Sequence, residues 1–194
     1  LDMLDAGNLR AASAASLALS TEGQERLFED IDRYRESVVL RPSDVSNSPE
    51  LIRRFGVVAV NSALEVDVYG HANSTHLNGS HLVNGIGGSG DFIRNAHLSV
   101  VTLQSTAAGG DISRVVPMVP HVDHTEHDIS VVVTEQGVAD LRGLDPRERA
   151  EALVEQCAHP DYRADLRTYL DRAEEGGGHM PHDLDTALSW HADR

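Results

Sequence analysis

The sequence predicts an α/β domain, a layered α/β/α arrangement around a mixed sheet. Three observations lead there: short β-branched runs such as residues 57–60 and 129–134, amphipathic stretches at helical spacing such as residues 146–157, and glycines or prolines at their junctions. Strands and helices that interleave along a chain bury their apolar sides as sheet layers covered by helices. At 194 residues one sizeable domain is expected, able to bury roughly 70% of its unfolded surface without disulfide staples.

Taken in order, residues 1–5 read as the tail of a helix closed by Gly7, and since Leu1 is not an initiator the start reads as a cut through a longer chain. Residues 21–35 form a helix with Leu27, Ile31 and Tyr34 on its apolar stripe and Ser20 or Thr21 as its cap. Residues 38–40 are a strand stopped by Pro42, and residues 49–55 a brief helix ending at Gly56. A buried strand follows at 57–60. Alternation over 63–69 gives a second strand that turns at Gly70. The glycine-rich stretch 79–90 precedes a helix at 91–96, and strands are expected at 98–103, 112–119 and 129–134. Helices then take over, at 138–141, 146–157 and 162–173. From Glu174 the character changes: Gly176-Gly177-Gly178 followed by His and Asp reads as a mobile end, with Leu184, Leu188 and Trp190 offering a last helix. The domain is thus expected over residues 1–172 and a Gly-rich tail over 173–194.

The charge balance excludes whole classes of partner. There are 31 Asp+Glu against 16 Lys+Arg, a net charge of -15, and every one of the 16 basic residues is arginine. Such a surface repels phosphate backbones and anionic membranes, so no nucleic acid and no membrane partner is expected. No apolar run approaches the ~18 residues needed to cross a bilayer. The lone Cys157 rules out an intrachain disulfide and a cysteine zinc cluster, which suits a reducing, cytoplasmic location. An acidic, lysine-free surface also reads as halophilic, since concentrated salt screens its self-repulsion. The plainer alternative is an acidic enzyme from a GC-rich genome, which explains the arginines but not the acidic excess.

Four stretches carry chemical potential. In Asn84-Gly85-Ile86-Gly87-Gly88-Ser89-Gly90-Asp91-Phe92, four glycines expose backbone N–H groups just before a helix and allow a ligand to approach closely. The loop suits a phosphate or an oxyanion, or serves simply as a tight turn. It is neither a Walker loop nor a Rossmann fingerprint. His121, His124 and His127, with acids between them, have a metal-ligand composition, yet they fall between strands where this spacing does not converge on one point. Hydrogen-bonded loop histidines beside an active site are expected there and no metal site. Asn47 either caps the helix beginning near Pro49 or belongs to a functional polar string. Glu135 ends a strand, where α/β sheets place ligand contacts, and Glu65 reads as a paired structural acid.

Together these strings resemble the C-terminal half of the acetyl-CoA hydrolase/transferase family, class I CoA-transferases. The matching pieces are Arg41-Pro42 through Ser46-Asn47-Ser48-Pro49-Glu50, Asn61-Ser62-Ala63-Leu64-Glu65-Val66-Asp67, the glycine loop, residues 117–128, and Val133-Thr134-Glu135-Gln136-Gly137 through Leu141-Arg142-Gly143. The form Gly85-Ile86-Gly87-Gly88-Ser89-Gly90-Asp91-Phe92 is closest to the acetyl-CoA hydrolase and succinyl-CoA:acetate branch. The resemblance implies a CoA-transferase-like fold in a two-domain enzyme with the active site between its halves. It implies ping-pong chemistry, in which a glutamate attacks an acyl-CoA, passes through an acyl-glutamyl anhydride and becomes a glutamyl-CoA thioester that a carboxylic acid, or water, resolves.

By the same resemblance Gly88 supplies an oxyanion-hole N–H, Asn47 lies against the acyl or carboxylate group, and Gly87, Gly88, Ser89 and Glu135 contact coenzyme A. Coenzyme A is a substrate, and no resident cofactor is implied. Two departures follow. Related enzymes often carry a lysine where Ala108 stands, so any such contact must come from elsewhere, for instance Arg94 or Arg114. The nucleophilic glutamate is expected upstream of Leu1, outside this chain. The expectation is therefore a chain inactive by itself, lacking an N-terminal domain, with an apolar face that favours a homodimer. The competing reading is a non-catalytic acyl-CoA-binding module.

Overall fold

The computed structural model describes residues 1–192, which fall into two compact units, Leu1–Leu51 and the remainder from Ile52. Both are α/β. The first unit comprises α1 (Asp2–Asp5), β1 (Ala12–Ala14), α2 (Thr21–Glu29), α3 (Ile31–Tyr34), β2 (Val38–Leu40) and α4 (Ser43–Ser46). The single helix expected over 21–35 breaks at Asp30, whose φ of -131° and ψ of 46° are non-helical. Aspartate competes with the helical backbone for hydrogen bonds and so favours such junctions. Strand β1, invisible in the sequence pattern, pairs in parallel with β2, Ala12 opposite Val38. Asp5 ties the unit together, accepting from Arg26, Arg33 and the Tyr34 hydroxyl.

Helix α5 (Pro49–Arg54) leads into the second unit. There follow β3 (Val58–Ser62), β4 (Glu65–Asp67), β5 (Ala72–Asn73), β6 (His76–Leu77), β7 (His81–Leu82), α6 (Ser89–Asn95) and β8 (Leu98–Thr102). Next come β9 (Thr106–Ala107), β10 (Ile112–Ser113), β11 (Val115–Val116), β12 (Val131–Thr134), β13 (Gly137–Asp140), α7 (Pro146–Gln156), α8 (Pro160–Gly176) and α9 (Ser189–Ala192). The main sheet runs β13-β12-β8-β3. Strands β3, β8 and β12 are parallel, and β13 returns antiparallel beside β12. A smaller mixed sheet, β11-β4-β5, accounts for the buried acids Glu65 and Asp67 in β4.

The helix expected at 138–141 is strand β13. Thr134 pairs with Gly137 across a two-residue turn, and the burial then alternates, with Val138 exposed and Ala139 1% exposed, which is a period of two. The expected strands at 63–69 and 112–119 shrink to β4 and to the pair β10 and β11.

The core joins Val101, Val132 and Ala139 of the sheet to Ile93 of α6, Leu153 and Val154 of α7, and Leu166 and Tyr169 of α8. Helix α7 begins with a capping box. Asp145 accepts from the N–H groups of Arg147 and Glu148, and Glu148 accepts in return from the Asp145 N–H, which is worth about 1 kcal/mol. Helix α8 continues past Ala173 to Gly176 and stops at Gly177, where φ is +66°. Beyond it Ala187 is buried and Trp190 packs against the core, whereas Leu184 is exposed. Cys157 lies under the sheet with its Sγ 3.4 Å from the Val132 carbonyl, and burial pushes its thiol up to about 11.

Candidate functional site

Because β3, β8 and β12 are parallel, their carboxyl ends share one edge of the sheet, the side on which open α/β folds bind ligands. Asn61 and Ser62 finish β3, Gln104 and Ser105 follow β8, and Glu135 follows β12. Two cavities open along this edge. One, of about 450 Å³, is bounded by Asn61, Ser62, Ser74 and the glycine loop. The other, of about 390 Å³, lies between Gln104, residues 106–110, Glu135 and His159. A third hollow of about 230 Å³ shares Ala107 with the second and is lined by Leu64, His76 and Arg114.

The glycine loop is anchored at both ends and bare in the middle. The Asn84 N–H donates to the Thr75 carbonyl at 3.3 Å, and the Asn84 carboxamide to the Ser74 carbonyl. At the other end the Ser89 hydroxyl donates to the Ile86 carbonyl at 2.7 Å, so the His124 Nε2–H, 3.1 Å away, donates to Ser89 Oγ. That fixes the His124 tautomer and leaves its Nδ1 a buried acceptor without a partner. Burial pushes the pKa of His124 down and keeps the ring neutral. Between the anchors Gly87 sits at φ +55°, a conformation that suits glycine. Among the described residues, nothing accepts from the N–H groups of Gly85, Ile86, Gly87 or Gly88. A run of unpaired donors beside a polar cavity is an arrangement for holding a negatively charged oxygen. Asn61, at the wall of this cavity, keeps its Oδ1 buried and unpaired.

Glu135 sits on the exposed turn between β12 and β13. It accepts from the Ser105 N–H at 2.8 Å, from the Ser105 hydroxyl, and from the Gln136 carboxamide at 3.2 Å. Desolvation raises its pKa, but the bonds from Ser105 outweigh that effect and hold the carboxyl at about 2. The turn is itself tied to α7: Thr134 donates to the Cys157 carbonyl at 2.9 Å and accepts from the Gln136 N–H. Glu135 is therefore a fixed anion at the mouth of the second cavity.

Gly87, Gly88, Ser89 and Glu135 thus share one edge of one unit. Asn47 belongs to the other unit, where it closes α4 by donating its N–H to the Ser43 carbonyl at 2.8 Å. Glu65 is a paired structural acid, accepting from the Asn73 carboxamide at 2.8 Å. The three loop histidines do separate work. His121 meets Asp123, His124 holds Ser89, and His127 meets Glu126. Arg94 is engaged by Asp128 at 3.4 Å, whereas Arg114 lines the third hollow. Sequence reasoning did not single out Ser105 or Asn61 as members of this edge, whereas His124 is one of the hydrogen-bonded loop histidines expected beside an active site. The one available signal was position, since Ser105 and Asn61 stand where parallel strands end.

The model of the acetyl-CoA hydrolase/transferase C-terminal domain matches residues 23–170. The chain is 55% identical to a succinyl-CoA:acetate CoA-transferase of Clostridium kluyveri, over 98% of this chain and 36% of that protein. It is 50% identical to an acetyl-CoA hydrolase of Candida glabrata, over 98% of this chain and 38% of that one. It therefore spans a little over a third of the length of these relatives. Among solved structures, a 4-hydroxybutyrate CoA-transferase from Porphyromonas gingivalis superposes with a TM-score of 0.67 at 28% identity, covering 88% of this chain and 42% of that one.

Proposed function

Because the chain belongs to the acetyl-CoA hydrolase/transferase family, through its C-terminal domain, we propose that it furnishes the oxyanion-holding and CoA-holding part of an enzyme that moves CoA between an acyl-CoA and a small carboxylic acid. Acetyl-, propionyl- and succinyl-CoA are the substrate class, and hydrolysis of acetyl-CoA is the same reaction with water as the resolving group. The observation that carries this reading is the row of unpaired N–H groups from Gly85 to Gly88 beside a polar cavity at the carboxyl edge of the sheet. A carboxylate that attacks a thioester carbonyl transfers negative charge to the carbonyl oxygen, and preorganised backbone donors lower the energy of that state.

In this reading Gly88 donates to the oxyanion, with Gly87 and Ser89 shaping the loop against the thioester. Asn47 contacts the acyl or carboxylate group, and Glu135 takes a donor of coenzyme A. Glu135 suits that role because Ser105 holds it ionised and oriented. Arg114, rather than Arg94, replaces the lysine absent at Ala108, since Arg94 is engaged by Asp128. The nucleophilic glutamate lies outside this chain, in a longer polypeptide that works in the cytoplasm at high salt. A net charge of -15 opposes a polyanion such as coenzyme A, so local donors and salt screening must offset it.

The test incubates the purified chain with acetyl-CoA and succinate, and measures CoA binding by titration calorimetry in parallel. Binding without turnover is expected, and binding weakens on Glu135→Ala. Substantial CoA transfer by the chain alone would place the nucleophile within it and overturn the division of labour. Binding that persists without any turnover once the missing portion is supplied would instead favour a non-catalytic acyl-CoA-binding module.

A further inference from the structure

The second cavity is walled in part by a hairpin that holds itself poorly. Strands β9 and β10 pair only as Ala107 with Ile112 and Thr106 with Ser113, and among the described residues they form a two-stranded sheet of their own. An isolated two-stranded ribbon is marginally stable in water. Its tip borders the cavity through Ala108, Gly109 and Gly110. Ala108 sits at φ +51°, a left-handed conformation that an alanine keeps where its surroundings enforce it.

A side chain of α8 reaches this tip. The Tyr162 hydroxyl donates to the Gly110 carbonyl at 2.8 Å, across 52 positions of sequence. Tyr162 stands in the first turn of α8, and its ring has two aromatic neighbours, His159 at a centroid distance of 6.3 Å and Trp190 at 6.1 Å. Trp190 belongs to α9, and the segment that carries it is seated on the second unit. Tyr69 donates its hydroxyl to the Pro181 carbonyl, the Tyr169 hydroxyl meets His182 Nδ1 at 2.7 Å, and Ala187 is 1% exposed. The His191 Nε2–H donates to the Met118 carbonyl at 3.0 Å. Contacts therefore lead from the end of the chain through Trp190 and Tyr162 to the wall of the cavity.

We propose that Tyr162 is a positioning residue that fixes the β9–β10 tip at the second cavity, and that residues 179–192 brace it through Trp190. Tyr162 touches no ligand in this scheme; it acts through Gly110. A wall held in place before binding spares the ligand the cost of ordering it. That the ligand is coenzyme A rests on the proposed function.

The test measures amide exchange over residues 106–113 in the ligand-free chain by mass spectrometry, with coenzyme A binding followed by titration calorimetry alongside. Tyr162→Phe keeps the ring and deletes the hydroxyl, and the loss of one hydrogen bond should speed exchange at the tip about fivefold. Trp190→Ala should act in the same direction, and Trp190→Phe, which restores a ring beside Tyr162, should return the rate towards that of the parent. Thr168→Ala, which deletes a hydroxyl bonded to the Ala164 carbonyl elsewhere on α8, should leave the tip unchanged. Exchange in β8 and β12 should stay at parent rates in every variant. Coenzyme A should bind Tyr162→Phe more weakly by up to the same factor, because affinity falls with the fraction of chains whose tip is in place. Parent-like exchange at the tip of Tyr162→Phe overturns the inference, as does acceleration spread over the whole unit, which would mark a general folding contact. An unchanged tip in Trp190→Ala overturns the brace, and a loosened tip with unchanged affinity overturns the link to the ligand. A parent chain that binds no coenzyme A would sink the proposed function, while the exchange rates would still decide what holds the tip.

Discussion

Gly137→Ala tests the link between the β12–β13 turn and α7. A Cβ at this position would stand 2.7 Å from the carbonyl oxygen of Gln156 and 3.6 Å from its carbonyl carbon. Gln156 ends α7, so the obstacle is helix backbone, not the tip of a flexible side chain. Two effects oppose each other. Replacing glycine restricts the unfolded chain and stabilises by about 0.4–1 kcal/mol, whereas forcing extra volume into a packed contact costs about 1–3 kcal/mol. The steric term wins, giving a net loss of about 1–2 kcal/mol. For a chain of this size that lowers the melting temperature by about 3–6 °C. Urea unfolding and calorimetry measure it. A second reading comes from Glu135, whose turn is fixed by Gly137 pairing with Thr134 and by Thr134 donating to the Cys157 carbonyl. Its carboxyl should titrate at higher pH once the turn shifts from Ser105. Equal or greater stability in the variant would refute the reasoning, because β13 and α7 could then separate without cost.

Ser105→Ala removes one of the bonds that hold Glu135 ionised, so the carboxyl should move from about 2 toward its ordinary value of 4.5, by roughly one unit, as read by carboxyl NMR titration. Glu135 is exposed, so the stability change at neutral pH should stay within about 0.5 kcal/mol; a larger loss would indicate a folding role for Ser105. His71 bridges Asp67 at 3.0 Å and Glu126 at 2.8 Å. Desolvation pushes its pKa down, but the two carboxylates outweigh it and the net shift is upward from 6.5. A raised histidine contributes stability that is complete below pH 6.5 and disappears as pH rises through the folded value. His71→Gln should therefore destabilise the chain at acidic pH and converge on the parent at alkaline pH in urea titrations; a constant difference across pH would contradict this. Raising KCl from about 0.1 to about 2 M should increase the urea midpoint, because screening relieves the acidic self-repulsion. A maximum in salt-free buffer would refute the halophilic reading.

The legible parts of the fold were those whose signal is local. Helix α7 announces itself by Asp145, Pro146 and Glu148, which are a cap, a first-turn proline and a capping-box partner in one short string. Strands β8 and β12 are continuous β-branched runs, and the glycine loop is unmistakable. What escaped depends on partners distant in sequence. Val138-Ala139-Asp140 is too short to show a period, and only pairing with β12 makes it a strand. Strand β1 exists through β2. At the site, Glu135 could be read from its place after a strand. Ser105, however, orients it from 30 positions away, and His124 reaches Ser89 across 35. No spacing rule reveals such contacts.

The single cysteine has an experimental consequence. Its Sγ is sealed beneath β12 and its thiol is pushed up to about 11, so in the native state a thiol reagent at neutral pH meets neither access nor thiolate. Modification of Cys157 must wait until the sheet and α7 part, and with one sulfhydryl in the chain every labelled molecule records one such opening. Labelling kinetics across denaturant would therefore report the free energy of opening at the centre of the second unit, without a fluorophore or an engineered probe.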